Sequence, residues 1–307
     1  MEKVSDRTAE QVNAPSSTIA QKWADFGLLT KYRLSFSVVF SAMAGYLLGA
    51  PQFIWQDFLV LVLGGFFVTG AANAYNQIIE KDRDALMMRT MLRPIPAGRM
   101  SVMEAMIIAT MCMIVGLGLL YSLNPMSAGF GALSIGLYVL AYTPLKAKTP
   151  WAVFVGAIPG AIPFMLGWVA ATNDFDIESG TLFAIQFIWQ FPHFWAIGWL
   201  AYDDYKKAGY FLLPNRRKDS VAAFQAFTYS IWLVFVSIIP VFGFTGTFKI
   251  HWISAAIIGV LGLYLVFKAW VLYKQRTNEA AKGLMLGSIM FLTLIQIIYV
   301  IDKFVTA

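Results

Sequence analysis

The sequence predicts an all-α membrane protein of nine transmembrane helices, and three observations carry that expectation. Of the 307 residues, 59% are hydrophobic and only 13% are charged, roughly half the charged share of an average soluble protein. The apolar residues gather in continuous runs of 16–23 residues, close to the ~20 that cross a bilayer as a helix. They do not alternate with polar residues as the strands of a membrane barrel would. The bases are also sorted: with nine crossings and a cytoplasmic start, 21 of the 23 Lys and Arg residues fall on the inner side. This composition excludes a soluble α/β enzyme, a disordered chain and a disulfide scaffold. The single cysteine, Cys112, sits in an apolar run and reads as a small buried hydrophobe.

The elements follow in order. Residues 1–30 read as a flexible cytoplasmic tail. Glu2, Asp6 and Glu10 are unlike an Arg-rich transit peptide, and no apolar core with a cleavage site follows Lys3. Residues 31–307 then form one nine-helix domain, because no connection is long enough for a soluble domain. The predicted spans are 34–50, 54–76, 103–122, 128–143, 151–171, 181–201, 223–243, 252–272 and 284–302. The fourth is short and has the least defined ends. Only Lys249 and Lys303 remain outside, so the C-terminus is expected outside. The net charge of +6 therefore reflects loops sorted toward one leaflet rather than a nucleic-acid partner.

Clustered carboxylates in two inner loops exceed what topology requires. After the second span, Asn76, Glu80 and Asp84 stand at i, i+4 and i+8, drifting only ~40° per step on a continuing helix, so their oxygens share one face. Asp82 lies nearly opposite unless the helix end frays. Carboxylate and amide oxygens are hard ligands suited to Mg²⁺ that also holds substrate phosphates. The bland alternative is a solvated helix end with its acids paired to Lys81 and Arg83. Asp203 and Asp204 leave the sixth span as the first cluster leaves the second. Two acidic loops at matching places suggest two pseudo-equivalent four-helix halves facing one central cavity, with the ninth helix added. A cation clamp of this kind implies a polyanion. Neighbouring bases suit one: Arg89, Arg93 and Arg99 in a Pro- and Gly-shaped loop, then Lys146 and Lys148 between the fourth and fifth spans.

Gly156 and Gly160, with Pro159 and Pro163, read as a close-packing and kinking signature in a transmembrane helix. The methionines from Met100 to Met113 read as lipid-facing or filler residues.

These residues carry a resemblance. Asn76-xxx-Glu80-x-Asp82-x-Asp84 followed by Arg89-Thr90-xx-Arg93-Pro94-x-Pro96-x-Gly98 resembles the first signature of the intramembrane UbiA-type prenyltransferases. Within them it is most similar to the haem O synthase branch. The same branch is matched by Tyr142-Thr143-Pro144-Leu145-Lys146, by Lys148-Thr149-Pro150-Trp151 running into Gly156–Gly160, by Trp189-Gln190-Phe191-Pro192-His193-Phe194-Trp195, and by Asp203-Asp204-Tyr205-xx-Ala208-Gly209. The likeness spans about residues 30–300 in order. Two positions depart from the wider pattern: Glu80 stands where Asp is common, and Lys207 follows Asp203 where quinone-directed relatives tend to carry a second Asp.

The resemblance implies farnesyl transfer from farnesyl diphosphate to a vinyl group of protohaem IX, giving haem O for the haem A of terminal oxidases. Protohaem (haem B) would be a substrate, not a resident cofactor. The catalytic set implied is Asn76, Glu80, Asp84, Asp203 and Asp204, with Asp82 added as an Mg²⁺ ligand. Arg89, Arg93, Arg99, Lys146, Lys148 and Tyr142 would bind the diphosphate, Tyr142 also offering an aromatic face, as would Tyr75. His193, mid-span beside Pro192, would contact the haem, whereas His251 reads as interfacial. The expected setting is a bacterial inner membrane with the active face cytoplasmic, alongside a haem A synthase or oxidase assembly partner. Two other readings remain: a prenyltransferase acting on a quinone precursor, and a multi-span transporter, which would place its acids nearer the bilayer midplane.

Overall fold

A computed structural model describes residues 18–306, apart from the Thr306 side chain. Helix α1 (Ile19–Leu29) begins at Thr18, whose hydroxyl accepts the Gln21 N–H at 3.2 Å. Lys31 then takes the left-handed region at φ 49° and turns the chain into α2 (Tyr32–Gly49). Residues 1–17 of the expected flexible tail lie outside the described residues. From Ile19 onward the chain is helical and tied down, because Arg99 pairs with buried Asp25 at 2.9 Å.

Helix α3 (Trp55–Asp84) continues eight residues beyond the predicted apolar run, carrying Asn76, Glu80 and Asp84 on one helix. Helix α4 (Val102–Leu123) opens on a reciprocal cap between Ser101 and Glu104. Asn124 starts α5 (Pro125–Gly136) by accepting the Ser127 N–H at 2.8 Å. The helix then widens into a π-turn at Leu137–Tyr142 before the short α6 (Thr143–Leu145). Pro144 lacks an N–H, so it cannot continue the regular ladder. Helices α7 (Ala152–Thr172), α8 (Ile177–Leu200) and α9 (Tyr202–Lys207) follow. The chain ends with α10 (Ser220–Ile238) and its 3₁₀ turn Ile239–Phe242, then α11 (Trp252–Gln275) and α12 (Asn278–Thr306).

Among the described residues there is no strand, and seven helical segments are long and apolar enough to cross a membrane. They are α3, α4, the α5–α6 segment, α7, α10 with its 3₁₀ turn, α11 and α12. Length and composition thus support a multi-pass membrane protein and mark seven of the nine expected spans. Helices α2 and α8 stand at the two remaining expected positions, but α2 carries Arg33 and three serines, and α8 carries Gln186, Gln190 and His193.

The two largest clusters of the core share α2 and α7. One joins α2, α3, α4, α5 and α7; the other joins α2 and α7 with α8, α10, α11 and α12. Helix α7 is the most enclosed, with 72% of its apolar window buried against 22% for α4. Glycine permits the α2–α7 seam: a Cβ on Gly167 would run into the Ala42 carbonyl oxygen, and one on Gly45 into that of Phe164. Helix α4 turns Met103, Ile107, Met111 and Ile114 outward, as lipid-facing residues would be.

The charges at the end opposite the carboxylates serve helix ends. Lys303 donates to the carbonyls of Leu47, Leu48 and Ala50 at 2.7–2.9 Å, closing the C-terminus of α2. Asp302 accepts the His251 N–H that opens α11. His251 is exposed there, in keeping with an interfacial role.

Candidate active site

The site starts from a helical row. Asn76, Glu80 and Asp84 are 1%, 4% and 0% exposed, so the i, i+4, i+8 spacing does place three oxygen-bearing groups inside the protein. Each meets a base from a different part of the chain. The Lys31 ammonium donates to Asn76 Oδ1 at 3.3 Å. Lys146 forms an ion pair with Glu80. Arg93 reaches Asp84 Oδ2 at 2.5 Å. Asn76 also donates to the Thr143 hydroxyl at 3.0 Å, and Thr143 in turn donates to the Tyr138 carbonyl. The π-turn therefore aims Thr143 at the row.

Aromatic rings surround the bases. The Lys146 ammonium lies 5.0 Å from the ring centres of both Tyr142 and Tyr210, a cation–π cradle. A Cβ on Gly156 would stand 2.5 Å from the Tyr142 ring, so that glycine makes room for the tyrosine. Gly209, at φ 69°, ends α9 and turns Tyr210 back toward Glu80. Burial, together with the Glu80 charge, holds the Tyr210 hydroxyl well above its ordinary pKa and keeps it protonated.

Three bases face two carboxylates here, an excess of positive charge in a buried place. Burial, with Arg93 and Lys146 nearby, pushes the Lys31 pKa down to about 7 although Glu80 and Asp84 oppose the shift. Such a cluster is built for an anion with more than one charge.

The second acidic segment docks on this end of α3. Arg83 donates to the Ala208 carbonyl at 3.0 Å, Arg89 to the Tyr205 hydroxyl at 3.0 Å, and the Phe211 N–H to the Lys146 carbonyl at 2.9 Å. Its aspartates, however, stay at the rim. Asp203 is exposed, and Asp204 is partly buried with Lys207 4.0 Å away. Asp82 points away from the row and pairs with Lys81 at 2.8 Å, as its helical angle requires. Arg99 is committed to Asp25 and the Leu92 carbonyl, and the Lys148 side chain is exposed. The closed clamp of five acids expected from sequence is thus not assembled, and Asp82, Arg99 and Lys148 lie away from the row.

The residues do fit a divalent cation that shares its coordination with phosphate. Among the described residues no group of three or more His, Cys, Asp or Glu side chains could hold a metal. Mg²⁺ requires less: one or two carboxylates plus substrate oxygens. Glu80 and Asp84 provide these beside the Asn76 amide, and the buried Asp84 Oδ1 has no hydrogen-bond partner.

His193 lies apart, its Nδ1 2.9 Å from the Ser288 hydroxyl and its ring stacked 4.6 Å from Trp189. Tyr75 bonds the Thr110 hydroxyl at 3.0 Å rather than entering the row. Sequence reading missed Lys31, Thr143 and Tyr210. Pro144 marks the break that frees Thr143, and Gly209 marks the turn before Tyr210, but Lys31 had read only as one more inner base.

The sequence pattern of the UbiA prenyltransferase family matches residues 38–295. A protein named protoheme IX farnesyltransferase from Christiangramia forsetii is 55% identical, over 96% of this chain and 97% of its own. One of the same name from Flavobacterium psychrophilum is 56% identical over 91% and 94%. The fold is similar to that of a digeranylgeranylglyceryl phosphate synthase, with a TM-score of 0.74 at 19% identity over 92% of this chain and 98% of the other. It is also similar to a UbiA homologue from Archaeoglobus fulgidus bound to GPP and Mg²⁺, with a TM-score of 0.68 at 15% identity over 90% and 99%.

Proposed function

The chain belongs to the UbiA prenyltransferase family and is a prenyltransferase; from that premise we propose that it transfers the farnesyl group of farnesyl diphosphate to a vinyl group of protohaem IX, giving haem O. The observation that carries the chemistry is the buried row of Asn76, Glu80 and Asp84, each member paired with a base from elsewhere in the chain. The acceptor is inferred from the name shared by the close relatives.

Arg93, Lys146 and Lys31 bind the diphosphate, whose negative charge grows as the farnesyl C–O bond breaks. A divalent cation held by Glu80, Asp84 and Asn76 would add Lewis-acid neutralisation of that leaving group. The faces of Tyr142 and Tyr138, 5.1 Å apart at the row, line the path of the allylic cation and exclude water. The terminal vinyl carbon of the haem bonds to the farnesyl C1. Water then adds to the other vinyl carbon and loses a proton, giving the hydroxyethylfarnesyl group, with diphosphate released.

Asp203 and Asp204 form a second wall of the site from the rim, while His193 lies apart, against Ser288 and Trp189. We place the carboxylate row at the cytoplasmic face of a bacterial inner membrane crossed nine times, since the bases cluster at that end. The product then supplies haem A for terminal oxidases, which implies an oxidase assembly partner or a haem A synthase nearby.

The test is mass spectrometry of haems after expression in a membrane lacking haem O. Haem O that depends on farnesyl diphosphate and on a divalent cation is expected. A prenylated quinone precursor with unchanged protohaem would overturn the acceptor assignment, and substrate transport without prenyl transfer would overturn the reaction class.

A further inference from the structure

A cavity apart from the carboxylate row lies between α7, α8 and α10. Its volume is about 690 Å³, within the usual range of small-molecule sites. The inner wall is aromatic: Phe191 and Trp195 of α8 meet Tyr229 of α10 with ring centres 4.6 and 5.1 Å apart. The mouth is polar and basic, formed by Asn215 and Arg216. Tyr229 lies nine residues into α10, which puts the aromatic wall ~14 Å below that mouth. One side is bounded by Trp151 and Phe154, both exposed, so the cavity opens sideways toward the lipid-facing surface.

Arg216 is held ready for an anion. Its backbone sits at φ 63°, one Nη donates to the Lys148 carbonyl at 3.2 Å, and the guanidinium lies 4.2 Å over the Phe211 ring. That fixes the plane of the fork while leaving donors open. Among the described residues no carboxylate pairs with it. A basic mouth above a deep aromatic wall fits a flat apolar ring bearing carboxylates along one edge.

We infer that this cavity binds the porphyrin acceptor, with its propionates on Arg216 and the apolar body of the ring against Phe191, Trp195 and Tyr229. Naming the ring as protohaem rests on the function proposed above. The strap Lys146–Trp151 is the wall common to both sites: Lys146 holds Glu80, while Thr149 and Trp151 line the cavity. Acceptor and diphosphate are therefore one strap apart. His193 lies on the opposite face of α8 from Phe191 and Trp195, so iron ligation by it plays no part here.

The test is haem titration of the purified full-length protein in nanodiscs, followed by Soret absorbance, with farnesyl diphosphate binding measured separately. Arg216→Gln should weaken haem binding about tenfold or more, as loss of a charged hydrogen bond does, and Arg216→Lys should recover most of it. Thr228→Trp, which fills the cavity, should abolish binding, while both variants keep native farnesyl diphosphate affinity and so prove folded. Native haem affinity in both Arg216→Gln and Thr228→Trp would overturn the cavity even if haem O is made. Weakened haem binding in these variants with no haem O from the native protein would leave the cavity standing and overturn the proposed function. A native protein that binds no haem would overturn both.

Discussion

Asp84 and Glu80 differ in what holds them, and their substitutions should differ accordingly. Asp84→Asn removes a buried charge but keeps the shape, leaving Arg93 without its counter-charge and the row with one carboxylate. Haem O formation should fall at least ~100-fold, as for lost electrostatic stabilisation of a transition state, while the protein still elutes as a folded species on gel filtration. Asn76→Ala should do the same, and retained turnover in both would remove the row from the chemistry. Lys146→Met should also lower stability, because it strands Glu80 as a buried, unpaired carboxylate. A cost of ~3 kcal/mol is expected for breaking such a pair from one side, readable as a lower melting temperature in detergent. Much of this residue scale was legible in the sequence, since i, i+4, i+8 spacing is a local property of any helix. The partners were not: Lys31 lies 45 residues from Asn76 along the chain, and no periodicity links them.

At the scale of elements, the α2–α7 seam and the α5–α6 turn carry the site. Gly167→Leu would drive a side chain into the Ala42 carbonyl and the Tyr46 backbone nitrogen, forcing the helices apart. Overpacking of this kind costs ~1–3 kcal/mol. Gly118→Leu on α4, where a Cβ would meet nothing within 4 Å, should leave the melting temperature nearly unchanged. Equal effects in the two variants would show that close approach is not what Gly167 provides. The paired glycines of α7 were readable as a close-packing signature, but their partners, the Tyr142 ring and the Gln190 amide, were not. The π-turn was only half legible: Pro144 announced a break in the ladder, yet whether the helix would stop or widen depended on what Thr143 could bond across the bundle.

For the whole molecule, sidedness is the measurable property. In a Cys112→Ala background, a cysteine at Asp82 should react with an impermeant thiol reagent only from the cytoplasmic side, and one at Lys249 only from the other. Both positions are exposed, so absent labelling would reflect topology, and labelling from the same side would reject the five crossings that the nine-span topology places between them. The excess of bases on one side, the runs of apolar residues and the row on α3 are the parts of this protein its sequence determined alone. Each depends on composition or on neighbours within two turns of a helix. Only the tertiary structure decided which base meets which acid, that Asp82 and Arg99 stand away from the row, and that Asp203 remains at the rim. Those outcomes are set by how helices distant in sequence pack and rotate against one another. Helix packing turns on backbone approach at a few glycines and on buried charges finding partners, which no local pattern encodes.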